Sequence, residues 1–328
     1  NFGEGKFPVR GAAGGIGYLV GKPGEGLRCM FHMMNEARIA VGLGAVMLGY
    51  AGYEASLDYA RGRPQGRPIG PGGKDPSQPQ IPIIGHADVK RMLLQQRAIV
   101  EGSLSLIVYA GKLVDLAQAG SGEEKERNEL LLDFLTPIVK TYPSEMGIVS
   151  TSLAIQCLGG YGYSDEFPVE QYMRDIRIHP IHEGTTGIQG MDLLGRKVTM
   201  QKGKAAAIYL EEVEKAIAGA RAIADLKPCA EKLHSATDLL KEVTGALVGI
   251  AVKGDIERFL ADATLYLELS GIICIAWQWL LQGMAASRAL GKAVEADRDF
   301  LEGKILAMKF FFEYELPKTE GLRTRLLS

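Results

Sequence analysis

Cysteine is scarce. The four present in 328 residues, Cys29, Cys157, Cys229 and Cys274, lie far apart with no CxxC pair. This argues against a disulfide framework or a zinc site and fits a reducing compartment, so the expected location is cytoplasmic. No excess of one charge exists either: 37 Lys and Arg stand against 39 Asp and Glu, a net charge of -2. Without a like-charged block, a nucleic-acid partner is not expected. A membrane-spanning helix needs roughly 20 mainly apolar residues. The most apolar stretch, Leu265 to Met284, is interrupted by Glu268, Ser270, Gln278 and Gln282, so it reads as a buried core helix and no membrane partner is expected. The start at Asn1 shows neither Met nor a basic-then-apolar leader, and the expectation is a piece of a longer protein. Hydrophobic residues at 47% and charged residues at 23% are ordinary globular values, and the length suggests about two domains.

Most of what is present is helical. Residues 1–26 are Gly-rich, with one strand-like run, Gly17 to Val20, before the turn signal Lys22-Pro23-Gly24. From Leu27 to about Arg61, Met30, Met33, Met34, Ala37, Val41, Ala45 and Leu48 recur at helical spacing. Gly42, Gly44, Gly49 and Gly52 lie inside that run, each costing about 1 kcal/mol against Ala. A helix that keeps them is expected to pack closely on a neighbour. Six of the 14 prolines fall between Pro64 and Pro82, which marks a loop. Helices are expected over 87–119, over 123–140 with a break at Pro143, over 144–158, over 169–177 behind Pro168, and over 188–201. Beyond Lys204 almost everything reads as amphipathic helix, over 204–225, 228–253, 255–290 and 294–315. No repeat of 20–50 residues is evident. The fold class expected is all-α, with a short β remnant at the N-terminus.

Gly11-Ala12-Ala13-Gly14-Gly15-Ile16-Gly17 looks like a dinucleotide-binding turn, but such a turn follows a buried strand and opens a helix. Here Asn1 to Arg10 are charged and glycine-bearing, and Tyr18-Leu19-Val20-Gly21 follows. It reads as a flexible connection.

The chemistry is concentrated between Gln156 and Gln189: Gln156-Cys157-Leu158-Gly159-Gly160, then Pro168-Val169-Glu170, Arg174-Asp175, and His182-Glu183-Gly184-Thr185. Two glycines after a helix let a ligand approach the backbone closely. Glu183 sits between two helices, where a carboxylate can reach into a cleft, and Thr185 falls where a helix N-cap would stand. On spacing alone a second reading stands beside this one, in which Glu183 pairs with Arg174 or His182 on the surface.

This order and spacing resembles the C-terminal signature of the acyl-CoA dehydrogenase family, and the likeness extends back through Asn35-Glu36-Ala37-Arg38 and Tyr59 to Arg63. The helical tail, with Leu316-Pro317 near its end, is similar to the larger bacterial subgroup that includes 3-methylmercaptopropionyl-CoA dehydrogenases. The resemblance implies a β-domain remnant over 1–26, a four-helix bundle with the catalytic loop over 27–202, and a helical extension over 203–328. It implies FAD-dependent α,β-dehydrogenation of an acyl-CoA thioester, with the α-proton passing to Glu183 and the β-hydride to flavin N5. A free glutamate near pKa 4.3 is a weak base toward such a carbon, so the site must exclude water. The enolate oxygen needs fixed donors, and the resemblance makes the Glu183 N–H one of them. Ala37, where some branches carry the base, cannot serve.

By the same resemblance Arg63, Gln156, Gly159, Gly160 and Thr185 contact FAD, while Asn35, Arg38 and Gly184 lie at the acyl-CoA. Arg63 as a solvated loop charge, Gln156 as a surface amide, Asn35 as a polar helix position and Arg38 as a structural ion pair remain alternative readings. His182 replaces a common Tyr, and Gly187 a common flavin-contacting Gln. No metal is implied. An electron-transfer flavoprotein or similar acceptor, and a homodimer or dimer of dimers, are the implied partners. Competing readings are an acyl-CoA oxidase and a non-catalytic flavin-fold module for binding or assembly.

Overall fold

The computed structural model describes residues 3–328 except Val9 and His32, and not the side chains of Phe31 and Lys74. The chain divides into two units, residues 1–37 and 38–328. In the first, residues 17–20 have no regular pairing, so the expected strand is not formed there. Of the expected β remnant, residues 1, 2 and 9 lie outside those described. A turn follows, in which Glu25 accepts from the Lys22 N–H at 3.0 Å. Helix α1 then runs over Gly26–Phe31, and α2 begins at Met34 and continues into the second unit as far as Gly62.

The Pro-rich loop of the second unit contains a minimal antiparallel pair, β1 (Ile69–Gly70) and β2 (Gly73–Lys74). After it come α3 (Ala87–Ala119), α4 (Gly122–Leu158), α5 (Val169–Ile176) and α6 (Thr186–Asp192). The remainder is α7 (Met200–Arg221), α8 (Lys227–Val252), α9 (Ile256–Ala261), α10 (Ala263–Leu290), α11 (Glu295–Phe310) and α12 (Lys318–Leu326). The all-α class stands. Among the boundaries that differ from expectation, the run expected from Leu27 to about Arg61 is two helices, α1 and α2. The helix expected over 188–201 ends at Asp192 in a π turn, Leu193–Lys197, and Gln201, Lys202 and Gly203 take left-handed backbone, so α7 is regular only beyond them. The stretch 255–290 is two helices, separated at Asp262.

A further correction is α4, which runs straight through Pro137 and Pro143 as one helix. A proline inside a helix removes one N–H and costs about 3 kcal/mol. Packing offsets this. Residues 130–144 of α4 are buried except Asp133, which is half-buried. Pro143 leaves the Val139 carbonyl without its N–H partner, and α2 covers that carbonyl with Gly42: a Cβ built there would lie 2.3 Å from the Val139 oxygen. Only a Cα–H fits, and it supplies a weak donor. Gly49, against Val100 and Gly147, and Gly52, against Ala154 and Thr151, behave alike, while Gly44 faces the His179 ring. The expected close helix contact is formed.

Helix α10 is long and apolar enough to cross a membrane, yet 78% of its most apolar window is buried among the other helices. Trp277 and Trp279 on it are fully buried, and the Trp279 indole donates to the Ala98 carbonyl on α3 at 2.9 Å. One hydrophobic cluster runs from Val46 through α3, α4, α7, α8 and α10 to Leu326. A smaller one, with Ala60, Ile83, Leu93, Ala154, Cys157 and Val169, lies where α2, α3, α4 and α5 meet.

Candidate functional site

Two groups of expected residues emerge, at different places. The first lies over the smaller cluster. Gln156, at the end of α4, and Gly159 line a cleft of about 390 Å³ with Tyr59, Gly66, His86 and Val89. Arg63 leaves the end of α2, its N–H bound to the Tyr59 carbonyl, and its guanidinium lies 5.8 Å from the centre of the Tyr161 ring. Among the described residues no carboxylate pairs with Arg63, so its charge is available to an anion. Gly159 takes φ +63°, which terminates α4 in a conformation that favours glycine. Gly160 has ordinary backbone, and a Cβ there would meet nothing within 4 Å. Nothing among the described residues requires glycine at 160.

The second group is the bend between α5 and α6. Glu183 is exposed and has φ +55°, a left-handed conformation uncommon for a residue with a Cβ. Gly184 follows at φ +92°. Three side chains fix the bend. Lys140, fully buried on α4, donates from Nζ to the Gly184 carbonyl at 2.8 Å. The buried Gln189 amide donates to the Glu183 carbonyl at 3.1 Å. The Thr186 hydroxyl donates to the Glu145 carboxylate. Thr185 is the N-cap of α6, its hydroxyl accepting from the Ile188 N–H at 3.4 Å. Neither surface pairing of Glu183 is made: Arg174 binds Glu170 at 2.8 and 3.0 Å, and the His182 ring contacts the Ile178 carbonyl at 2.9 Å. Beside the bend, Glu145 and Thr186 line a cavity of about 350 Å³ that Met146, Val149, Leu265 and Ile272 make largely apolar.

Arg38 lies on α2. It is buried and paired with Asp192 at the end of α6, at 3.2 Å, while Asp192 also holds Arg196 at 2.6 Å. Its guanidinium thus ties α2 to the element behind the bend. Asn35 is half-buried on α2. Sequence reasoning passed over Lys140, Gln189 and Glu145. For Lys140 a signal existed: it is a lone lysine after the apolar run Pro137-Ile138-Val139.

Burial pushes the Lys140 ammonium down to about 8, with Arg38 nearby acting the same way and Glu145 and Glu183 opposing. Its folded value lies below the unfolded one of about 10.4. As pH rises through that window the folded state loses the proton first, so stability rises with pH. The gain is on the order of 3 kcal/mol between pH 8 and 10.4. Urea midpoints of the wild type and Lys140→Met should therefore diverge in favour of the wild type from pH 7.5 to 10. A constant difference would contradict the burial argument; tyrosine ionisation affects both proteins equally.

Two family models match the chain: "Acyl-CoA dehydrogenase, C-terminal domain" over residues 74–198 and "Acetyl-CoA dehydrogenase C-terminal like" over residues 209–328. The 3-methylmercaptopropionyl-CoA dehydrogenase of Ruegeria pomeroyi is 37% identical over 317 residues, 94% of this chain and 52% of the relative. In structure, the chain is similar to ACDH-11 of Caenorhabditis elegans, solved with C11-CoA (TM-score 0.73, 22% identity, 93% of this chain and 47% of that one). It is also similar to an acyl-CoA dehydrogenase of Bacillus anthracis complexed with FAD (TM-score 0.70, 18% identity, 94% and 51%). The chain spans about half the length of the curated relatives it matches. With the helical architecture and these matches together, the chain belongs to the acyl-CoA dehydrogenase family, to whose C-terminal part it corresponds.

Proposed function

We propose that these residues supply the base and part of the cofactor site of an FAD-dependent acyl-CoA dehydrogenase of the relatives' full length. One observation carries the reading: in a chain of this family, Glu183 stands in a left-handed bend whose backbone is fixed from α4 and α6. A base on a fixed backbone meets the positioning demand of proton abstraction. The α C–H bond breaks and its proton passes to a Glu183 carboxylate oxygen, while the Glu183 N–H is offered to the thioester oxygen as negative charge develops there. The β-carbon loses a hydride and the α,β double bond forms. FAD, when bound, supplies the hydride acceptor.

The residues present fit the diphosphate and adenosine end of that cofactor. Among the described residues the Arg63 guanidinium has no carboxylate partner, Gln156 offers an amide at the cleft, and the open space before Gly160 admits a group against the backbone. The separation of this cleft from the Glu183 bend accords with a cofactor site completed by a second copy, as in the proposed homodimer or dimer of dimers. Glu183 is exposed in this chain, and in the proposal the portion of the relatives' length not matched here covers it. Substrates are acyl-CoA thioesters, electrons leave to an electron-transfer flavoprotein or similar acceptor, and the location is cytoplasmic.

The test is anaerobic titration of the flavin-loaded, full-length protein with acyl-CoA thioesters of increasing chain length. At least one should bleach the oxidised flavin, and the matching free acids should not. If no thioester bleaches it, the reading fails; oxygen uptake without an added acceptor would favour an oxidase instead.

A further inference from the structure

Lys140 does something its surroundings do not require. Burying an ammonium costs several kcal/mol unless the charge is well paired, and an apolar side chain of similar volume is commonly neutral or better at such a site. Lys140 is fully buried, and among the described residues no carboxylate lies within ion-pair distance of it. Its hydrogen bond goes to a backbone carbonyl, that of Gly184, at 2.8 Å. Gln189, equally buried, binds the preceding carbonyl, that of Glu183, at 3.1 Å. The peptide planes on both sides of Gly184 are therefore each held by a buried donor. One donor comes from the bundle helix α4 and the other from α6.

A glycine at φ +92° following a glutamate at φ +55° has little local reason to keep one conformation. Left to themselves, two such residues would sample extended backbone, and the Glu183 carboxylate would swing with them. The Gln189 amide lies close against the bend: a Cβ on Gly184 would lie 2.5 Å from it. Thr186, next but one, is tied to Glu145 five residues beyond Lys140 on the same helix.

We propose that Lys140 is a positioning residue, which by holding the Gly184 carbonyl sets the direction in which the Glu183 carboxylate is presented to the substrate α-carbon. This rests on the reading of Glu183 as the base. Lys140 touches neither substrate nor cofactor in the proposal. Its contribution is to alignment, where displacement of a reacting group by about 1 Å costs on the order of 100-fold in rate.

The experiment uses the flavin-loaded, full-length protein carrying Lys140→Met, with Lys140→Arg as the donor-retaining variant. In Lys140→Met, kcat should fall about 10- to 100-fold with KM within about threefold. The isotope effect with α-deuterated acyl-CoA should rise, because proton transfer becomes the slow step, and flavin content should be unchanged. Lys140→Arg should recover most of the lost kcat. Turnover within twofold of wild type in Lys140→Met overturns the proposal. So does a fall in kcat that comes with flavin loss and an unchanged α-deuterium effect, since that is the pattern of a merely structural lysine. Should Lys140→Met give no flavin-loaded protein, Lys140→Gln, polar but too short to reach Gly184, is read by the same criteria. Glu183→Gln separates the two levels: if it leaves turnover intact, the base assignment itself is wrong. If it abolishes turnover while Lys140→Met does not, only the positioning role is lost.

Discussion

Glu183→Gln in the flavin-loaded, full-length protein should lower kcat by about three to four orders of magnitude, the upper part of the range for removing a positioned general base. Glutamine keeps the length and shape of the side chain and leaves the backbone N–H in place. The carbonyl contacts from Lys140 and Gln189 do not involve the carboxylate and should persist. Substrate affinity should therefore change little and bound flavin should be retained, so the loss appears in kcat and kcat/KM alike. Stopped-flow reduction of the flavin by the best thioester reads the step directly. Reduction at a rate within tenfold of wild type would remove Glu183 from the mechanism.

The second large effect concerns the fold. Gly42→Ala should destabilise the protein by about 3 kcal/mol, the upper end of the usual cost of overpacking. Helix propensity alone points the other way and favours alanine by about 1 kcal/mol. The geometry decides between them, because the new methyl would sit 2.3 Å from the Val139 oxygen and 2.9 Å from the Ile107 side chain. The oxygen belongs to backbone and cannot rotate aside, so α2 and α4 must separate. Gly111→Ala on α3 is the control, since a Cβ there meets nothing within 4 Å. It should stabilise by about 1 kcal/mol. Urea unfolding of both variants beside the wild type gives the comparison; stabilisation by Gly42→Ala would show that the α2–α4 contact is looser than described.

The glycines of α2 also show how far the sequence could be read. Four glycines in a helical pattern carry a propensity cost that only close packing offsets, and the partners the structure gives Gly42, Gly49 and Gly52 agree. Periodicity located α3 to the residue, and the hydroxyl of Thr185 marked the start of α6. Local rules misjudged α4. Pro143 reads as a break because a proline acts on its own helix, whereas the compensating contact with the Val139 carbonyl comes from Gly42, about a hundred residues earlier.

The same division holds at the site. The order of residues from Gln156 to Gln189 by itself determined the family resemblance and marked Glu183, because a glutamate-glycine-threonine bend between helices is written in consecutive positions. The tertiary structure alone decided the left-handed backbone of Glu183, the burial of Arg38 against Asp192 and the attachment of Lys140 to Gly184. Each depends on groups 40 or more residues apart, or on strain that only surrounding packing can maintain. Spacing along a chain carries information about neighbours on one helix or turn. Which buried donor meets which carbonyl is settled only when the helices are brought together.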